Sequence, residues 1–287
     1  MKSFDLANGA TVPTLGQGTW MLGDDPVCRA GEIEALRVGI AAGATLIDTA
    51  EMYGDGRSES LVGEAICELP VGVTRDNLFL VSKVLPSNAG RDRIFASCEA
   101  SLRRLGTDYL DLYLLHWRGA VPLQETVACL EELVVQGFIR AWGVSNFDID
   151  DMEELWAVPG GCNCQVNQVL YHAGSRGIEF SLLPWMRKHG VALMSYCPLA
   201  QAGRIRSGLL EEPVLRSIAA KYGVMPAQVL LAWNIRDGHT IAIPRTGSAA
   251  HVRENAAAAD IVFDADDLAA LDAAFPPPEW KMPLDME

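Results

Sequence analysis

Short β-rich apolar runs alternate with amphipathic segments along this chain. That alternation constrains the fold more than any other feature, because it implies parallel strands joined by helices. Eight runs have the length and composition of strands, at residues 15–19, 45–48, 78–83, 109–116, 141–144, 164–168, 191–196 and 240–243. Between them, residues 32–42, 58–69, 91–105, 123–136, 149–156 and 182–189 carry helical patterns, and Gly43, Gly106, Gly137 and Gly190 supply C-terminal stops. Leu61, Val62, Ala65, Ile66 and Leu69 show the spacing directly. Residues 214–222 and 227–236, each preceded by a proline suited to a first turn, add helix before the last strand, and 248–257 and 266–273 add helix after it.

Eight βα units in about 250 residues predict a (β/α)8 barrel. Residues 3–6 and 11–13 flank the turn dipeptide Asn8-Gly9, so a small hairpin is expected to plug the N-terminal face. A doubly wound sheet is the alternative, normally announced by Gly-x-Gly-x-x-Gly after the first strand. Here Gly16-Gln17-Gly18 runs on into Thr19-Trp20-Met21, and the third glycine is missing. No linker or shift in composition divides the 287 residues, so one domain over 1–287 is expected.

Charge narrows the partners. With 23 Lys and Arg against 37 Asp and Glu, the net charge of −14 opposes nucleic acid and anionic membranes. No apolar stretch approaches the roughly 18 residues of a membrane span. The opening MKSFDLANG, with Asp5 and Asn8, lacks a secretory apolar run, so a cytoplasmic protein, monomeric or weakly oligomeric, is expected. Seven scattered cysteines (28, 67, 98, 129, 162, 164, 197) suit neither a disulfide framework nor a metal site, and no metal is expected.

In such barrels chemistry gathers at the C-terminal ends of strands. Asp48 ends the second strand, Tyr53 follows in its loop, Lys83 ends the third and His116 the fourth. Each alone has a structural explanation, as a cap, a surface ring, a snorkelling amine or a core histidine, but all four converge on one rim. A buried Lys83 needs an anion, which Asp48 on the adjacent strand supplies. A cationic Lys83 beside Tyr53 is expected to lower the phenol's pKa, making Tyr53 a candidate general acid and His116 a donor or orienting group for a carbonyl oxygen.

The segments IDTAEMYGDGRSE, SKV, LLHW, GVSNF, NQ and SYCPLAQAG occur in the order and spacing of the aldo-keto reductases over practically the whole chain. The sequence most resembles the bacterial methylglyoxal-reductase-type members. The resemblance implies that Asp48, Tyr53, Lys83 and His116 form the family's catalytic tetrad and that the activity is NADPH-dependent reduction of a small carbonyl substrate. It further implies a cofactor across the barrel mouth, with Gly18, Thr19, Trp20 and Asp48 near the nicotinamide end. Ser145, Asn146 and Gln168 match the residues that bind the carboxamide, and Tyr196 matches the aromatic that stacks on the ring.

Phosphate recognition is expected after the seventh and eighth strands, at Leu199, Gln201 and the small residues to Gly203, and at Arg245 and Thr246 ahead of a helix start. Glu254 and Asn255 match residues that contact adenine. Arg245 stands where the family frequently has lysine and keeps the charge. His251 stands where a second basic residue usually grips the adenosine phosphate and weakens it, so NADH is expected as a weaker alternative cofactor.

Trp20, Leu85 and Trp117, together with Tyr53, His116 and Phe147, are expected to wall an apolar substrate slot. Twelve residues, 276–287, follow Phe275, too few for a long closing arm, so an open mouth is expected. Arg118 is read as a solvated loop charge. Two rival functions remain at this stage: a nicotinamide-cofactor-binding regulatory or structural subunit on the same fold, and a barrel hydrolase or lyase that uses no nicotinamide.

Overall fold

The structure, a computed structural model, describes residues 1–200 and 204–286. Eight parallel strands form one sheet in chain order: β3 (Gln17–Gly18), β4 (Leu46–Asp48), β5 (Phe79–Val84), β6 (Leu112–Leu115), β7 (Trp142–Ser145), β8 (Val166–Leu170), β9 (Ala192–Tyr196) and β10 (Thr240–Ala242). Closure comes from the first strand region. Leu15 bridges Ala242, Gly18 bridges Arg245, and Gly16 and Gly18 donate to the carbonyls of Ala242 and Pro244 at 2.8 and 3.1 Å. Residues 15–19 thus divide their pairing between β4 and β10, which is why the ladder strand there shrinks to two residues.

Strand parity decides what faces the barrel interior, since successive side chains alternate. Leu46, Phe79, Val81, Leu112, Leu114, Ala141, Val166, Met194 and Ile241 fill the inside, whereas Ile47, Leu80, Val84, Tyr113, Leu115, Trp142, Val144, Val169 and Leu193 pack outward against the helices. Counting on by two from the inner set reaches Asp48, Lys83, His116, Ser145, Gln168 and Tyr196. All six therefore share the interior at the C-terminal rim. Gly143 shares this inner parity, and a Cβ there would meet the Val166 carbonyl oxygen at 2.4 Å, which leaves room only for glycine.

The hairpin β1 (Ser3–Asp5) and β2 (Thr11–Pro13) sends Leu6 and Val12 into the same interior cluster, as a plug would. Its turn is longer than a two-residue Asn-Gly turn: Leu6 N donates to the Ala10 carbonyl at 2.9 Å, leaving Ala7–Gly9 as the loop with Gly9 at φ +85°. Around the barrel run α1 (Arg29–Ala41), α2 (Arg57–Ile66), α3 (Ile94–Leu105), α4 (Leu123–Gln136), α5 (Ile149–Ala157), α6 (Leu182–His189), α7 (Arg204–Glu211), α8 (Pro213–Tyr222), α9 (Pro226–Asn234), α10 (Ala249–Ala257) and α11 (Ala265–Ala274). Among these, α7 has no counterpart in the sequence pattern. Its interior Gly208 disfavours helix by about 1 kcal/mol and hides the signal.

Candidate active site

Lys83 is fully buried at the end of β5, and its three N–H donors are all engaged: Asp48 Oδ2 at 2.7 Å, the Thr49 carbonyl at 2.9 Å and Tyr53 Oη at 3.0 Å. Burial alone works against its charge, but the carboxylate and the phenol beside it prevail and raise its pKa, so it remains an ammonium at neutral pH. Tyr53 reaches the ammonium from the loop after β4. Its 3-10 turn, Tyr53–Gly56, takes left-handed backbone at Gly54, Asp55 and Gly56, and an ion pair between Arg57 and Asp24 at 2.9 Å fastens it from outside.

The phenol departs from the sequence expectation. Burial raises the Tyr53 pKa above its ordinary 10.0 by more than Lys83 lowers it, with Asp48 and Cys197 adding to the rise. Lys83 therefore moderates the shift without reversing it, and the proton stays on Tyr53 across neutral pH. His116 sits edge-on to Tyr53, ring centroids 5.7 Å apart, with Trp117 leaning on its other side at 4.9 Å. Burial and the Lys83 cation push the imidazole down to about 3, which keeps it neutral, and its Nδ1 is buried with no hydrogen-bond partner among the described residues.

Tyr53 and His116 line a cavity of about 310 Å³ whose walls also include Trp20, Met21, Met52, Gln168 and Arg245. Gly18, Thr19, Asp48, Ser145, Asn146, Tyr196 and Leu199, all sequence candidates, line it too. Asn146, at φ +58°, is fixed by donating to the His116 carbonyl and Ser145 Oγ, both at 3.2 Å, and by accepting from Tyr196 Oη at 2.9 Å. Gly18 permits close approach of the eighth-strand loop, because a Cβ there would meet the Ile243 carbonyl oxygen at 2.8 Å.

Other candidates fall elsewhere. Leu85 and Trp117 do not line the cavity, and Phe147 is wholly buried in the core between barrel and helices. Thr246 and Asn255 face a small crevice behind Gly16 and Gly18. His251 and Glu254 are exposed on α10, whose first turn is capped by Ser248. Arg118 is held by Glu154 at 2.9 Å and by the carbonyls of Gly119 and Val121, away from the cavity. Gln201 lies outside the described residues. Met21, Met52 and Cys197 line the cavity without having been singled out; Met21 and Cys197 do so through left-handed backbone, φ +64° and +48°, which their residue types do not signal. Among the described residues no cluster of His, Cys, Asp and Glu has the geometry to hold a metal, and no helix is long and apolar enough to cross a membrane.

The aldo/keto reductase family model matches residues 14–275. The chain is 53% identical over 285 residues to methylglyoxal reductase YeaE of Escherichia coli, covering 99% of each chain. It is 35% identical over 268 residues to a glyoxal reductase of Bacillus subtilis, covering 93% of this chain and 91% of the relative. A crystal structure of an aldo/keto reductase from Klebsiella pneumoniae in complex with NADP and acetate superposes with a TM-score of 0.95 at 52% identity, covering 100% of this chain and 99% of that one. Barrel, rim residues and near-complete matches agree: the chain belongs to the aldo/keto reductase family.

Proposed function

We propose that this chain reduces small, electrophilic carbonyl compounds to alcohols with NADPH, Tyr53 giving its proton to the carbonyl oxygen. The observation that carries this reading is the buried Asp48–Lys83–Tyr53 chain beside a neutral His116. A protonated phenol and a neutral imidazole N–H both serve as donors where charge develops on a carbonyl oxygen. Lys83 then stabilises the phenolate left when Tyr53 has given up its proton, and Asp48 holds Lys83 in place.

Bound NADPH supplies the hydride. The residues present fit it: a mostly apolar cavity lined by the polar groups Ser145, Asn146 and Gln168 and by Arg245, which lies just ahead of the N-terminus of α10. Support also comes from the Klebsiella relative, whose structure holds NADP. Arg245 favours NADPH over NADH, with NADH a weaker alternative.

The mouth favours small neutral substrates. Trp20, Met21 and Met52 are exposed apolar side chains there, while Arg118 is engaged elsewhere, so no cation among the described lining residues other than Arg245 awaits a substrate carboxylate. With little to clasp a large ligand, intrinsic electrophilicity decides turnover. Short α-oxoaldehydes such as methylglyoxal and activated aromatic aldehydes are the substrates we assign, in a cytoplasmic setting. Loss of NADPH absorbance with methylglyoxal, a nitrobenzaldehyde, glucose and a ketosteroid tests this. The first two should lead in kcat/KM, and a sugar or steroid at the top would overturn the assignment.

A further inference from the structure

The chain after β4 goes on pairing with β5 beyond the end of the strand. Thr49 N donates to the Val81 carbonyl at 2.9 Å and Glu51 N to the Lys83 carbonyl at 3.4 Å, a parallel register that advances two residues at a time. The next donor along that edge of β5 is Leu85 N, but the backbone has by then left for the left-handed turn at Gly54, Asp55 and Gly56. The half-buried Glu51 side chain makes the bond instead. Its Oε1 accepts from Leu85 N at 2.6 Å and from Asn88 Nδ2 at 3.0 Å, while Oε2 has no hydrogen bond among the described residues. On the opposite edge of β5, His116 N donates to the Val84 carbonyl at 3.0 Å. The end of the strand that carries Lys83 is therefore tied to His116 on one side and to Glu51 on the other.

We propose that Glu51 is a positioning residue for the proton donor: its carboxylate carries the β4–β5 pairing past the point where the backbone leaves it, and so holds the Tyr53 turn in register with Lys83. The inference rests on the reading of Tyr53 as the donor and adds the group that sets its place. Downstream of Tyr53 the turn is secured by Glu59, which accepts from Ser82 Oγ at 2.6 Å and from Arg104 Nε at 2.5 Å. The Arg57–Asp24 pair adds little there, since its side chains are 55% and 38% exposed. Upstream, among the described residues between Asp48 and Tyr53, Glu51 is the one side chain that bonds to β5 or its loop. Without it the two residues before Tyr53 are held to β5 only by the long Glu51 N–H bond to Lys83.

The test is a double-mutant cycle on single-turnover reduction of methylglyoxal by the NADPH-loaded protein, with Glu51→Ala and Glu51→Gln each made in the wild-type and Tyr53→Phe backgrounds. Glu51→Ala should slow the wild-type reaction about tenfold or more, the scale of a misplaced reacting group, with NADPH affinity within about twofold of wild type. Glu51→Gln keeps Oε1 and changes only the oxygen without a partner, so it should retain a rate within about twofold of wild type. In the Tyr53→Phe background the Glu51→Ala effect should shrink to within about twofold, because the hydroxyl it positions is gone. Exchange of the Leu85 amide hydrogen should quicken in Glu51→Ala and stay slow in Glu51→Gln. A merely structural role would slow both backgrounds by the same factor. That result, a near wild-type rate in Glu51→Ala, or an equal loss in Glu51→Gln, would overturn the inference while leaving Tyr53 as the donor. A near wild-type rate in Tyr53→Phe itself would overturn both.

Discussion

Lys83 Nζ lies 2.7 Å from Asp48 Oδ2 with the two side chains 0% and 2% exposed, a salt bridge sealed inside the barrel rim. Removing either partner strands a buried charge, which typically costs about 3–5 kcal/mol. Lys83→Met and Asp48→Leu should each lower the urea midpoint accordingly. The double variant should be destabilised by much less than the sum of the two. Additive losses would show that the charges are not coupled.

His116 is held down to about 3 from an ordinary histidine value of 6.5. Between these values the unfolded chain binds more protons than the folded one, so this group's contribution to stability is complete above about pH 6.5 and declines as pH falls, by at most about 1.4 kcal/mol per unit. His172, also buried and lowered, acts in the same direction. Urea unfolding at pH 7 and pH 5 should therefore show a loss that is smaller in His116→Gln. An identical loss in the variant would mean that His116 is not kept neutral by the fold.

Arg245 lines the cavity, just ahead of α10. A charge-assisted contact with the extra phosphate of NADPH is worth roughly 1.5–3 kcal/mol, so Arg245→Ala should weaken NADPH by about tenfold or more and NADH far less. Equal weakening of both cofactors would remove the phosphate contact from the account.

Much of this was legible in the chain. The eight strand patterns place Asp48, Lys83 and His116 at the ends of successive strands, with Tyr53 in the loop after the second, so the four converge on one rim, whereas Gln168 is pointed to only by the family resemblance. What pattern could not give was depth. Whether burial or Lys83 dominates the Tyr53 phenol depends on how completely water is excluded, and the structure reverses the expected direction. Nor could it give sidedness in loops: Phe147 follows the strand parity by only two residues beyond Ser145, yet turns into the core. Met21 and Cys197 reach the cavity through backbone conformations that glycine would have announced and these residues do not.

The pH dependence of the two directions of reaction should differ. With the Tyr53 pKa raised, the proton donor is loaded throughout pH 6–9, so carbonyl reduction should show no decline from loss of this proton in that range. Alcohol oxidation, which needs the phenolate, should speed up as pH rises. A reduction rate that falls through neutrality with the titration of Tyr53, followed by the phenolate absorbance, would contradict the assignment.

The most direct measurement is single-turnover reduction of methylglyoxal by Tyr53→Phe with bound NADPH. The phenylalanine ring keeps the shape of the site and removes only the hydroxyl that Lys83 holds at 3.0 Å. The expected result is a rate lower by about 10²–10⁴-fold with NADPH affinity essentially unchanged. A variant that binds NADPH and turns over methylglyoxal at near wild-type rate would contradict Tyr53 as the proton donor.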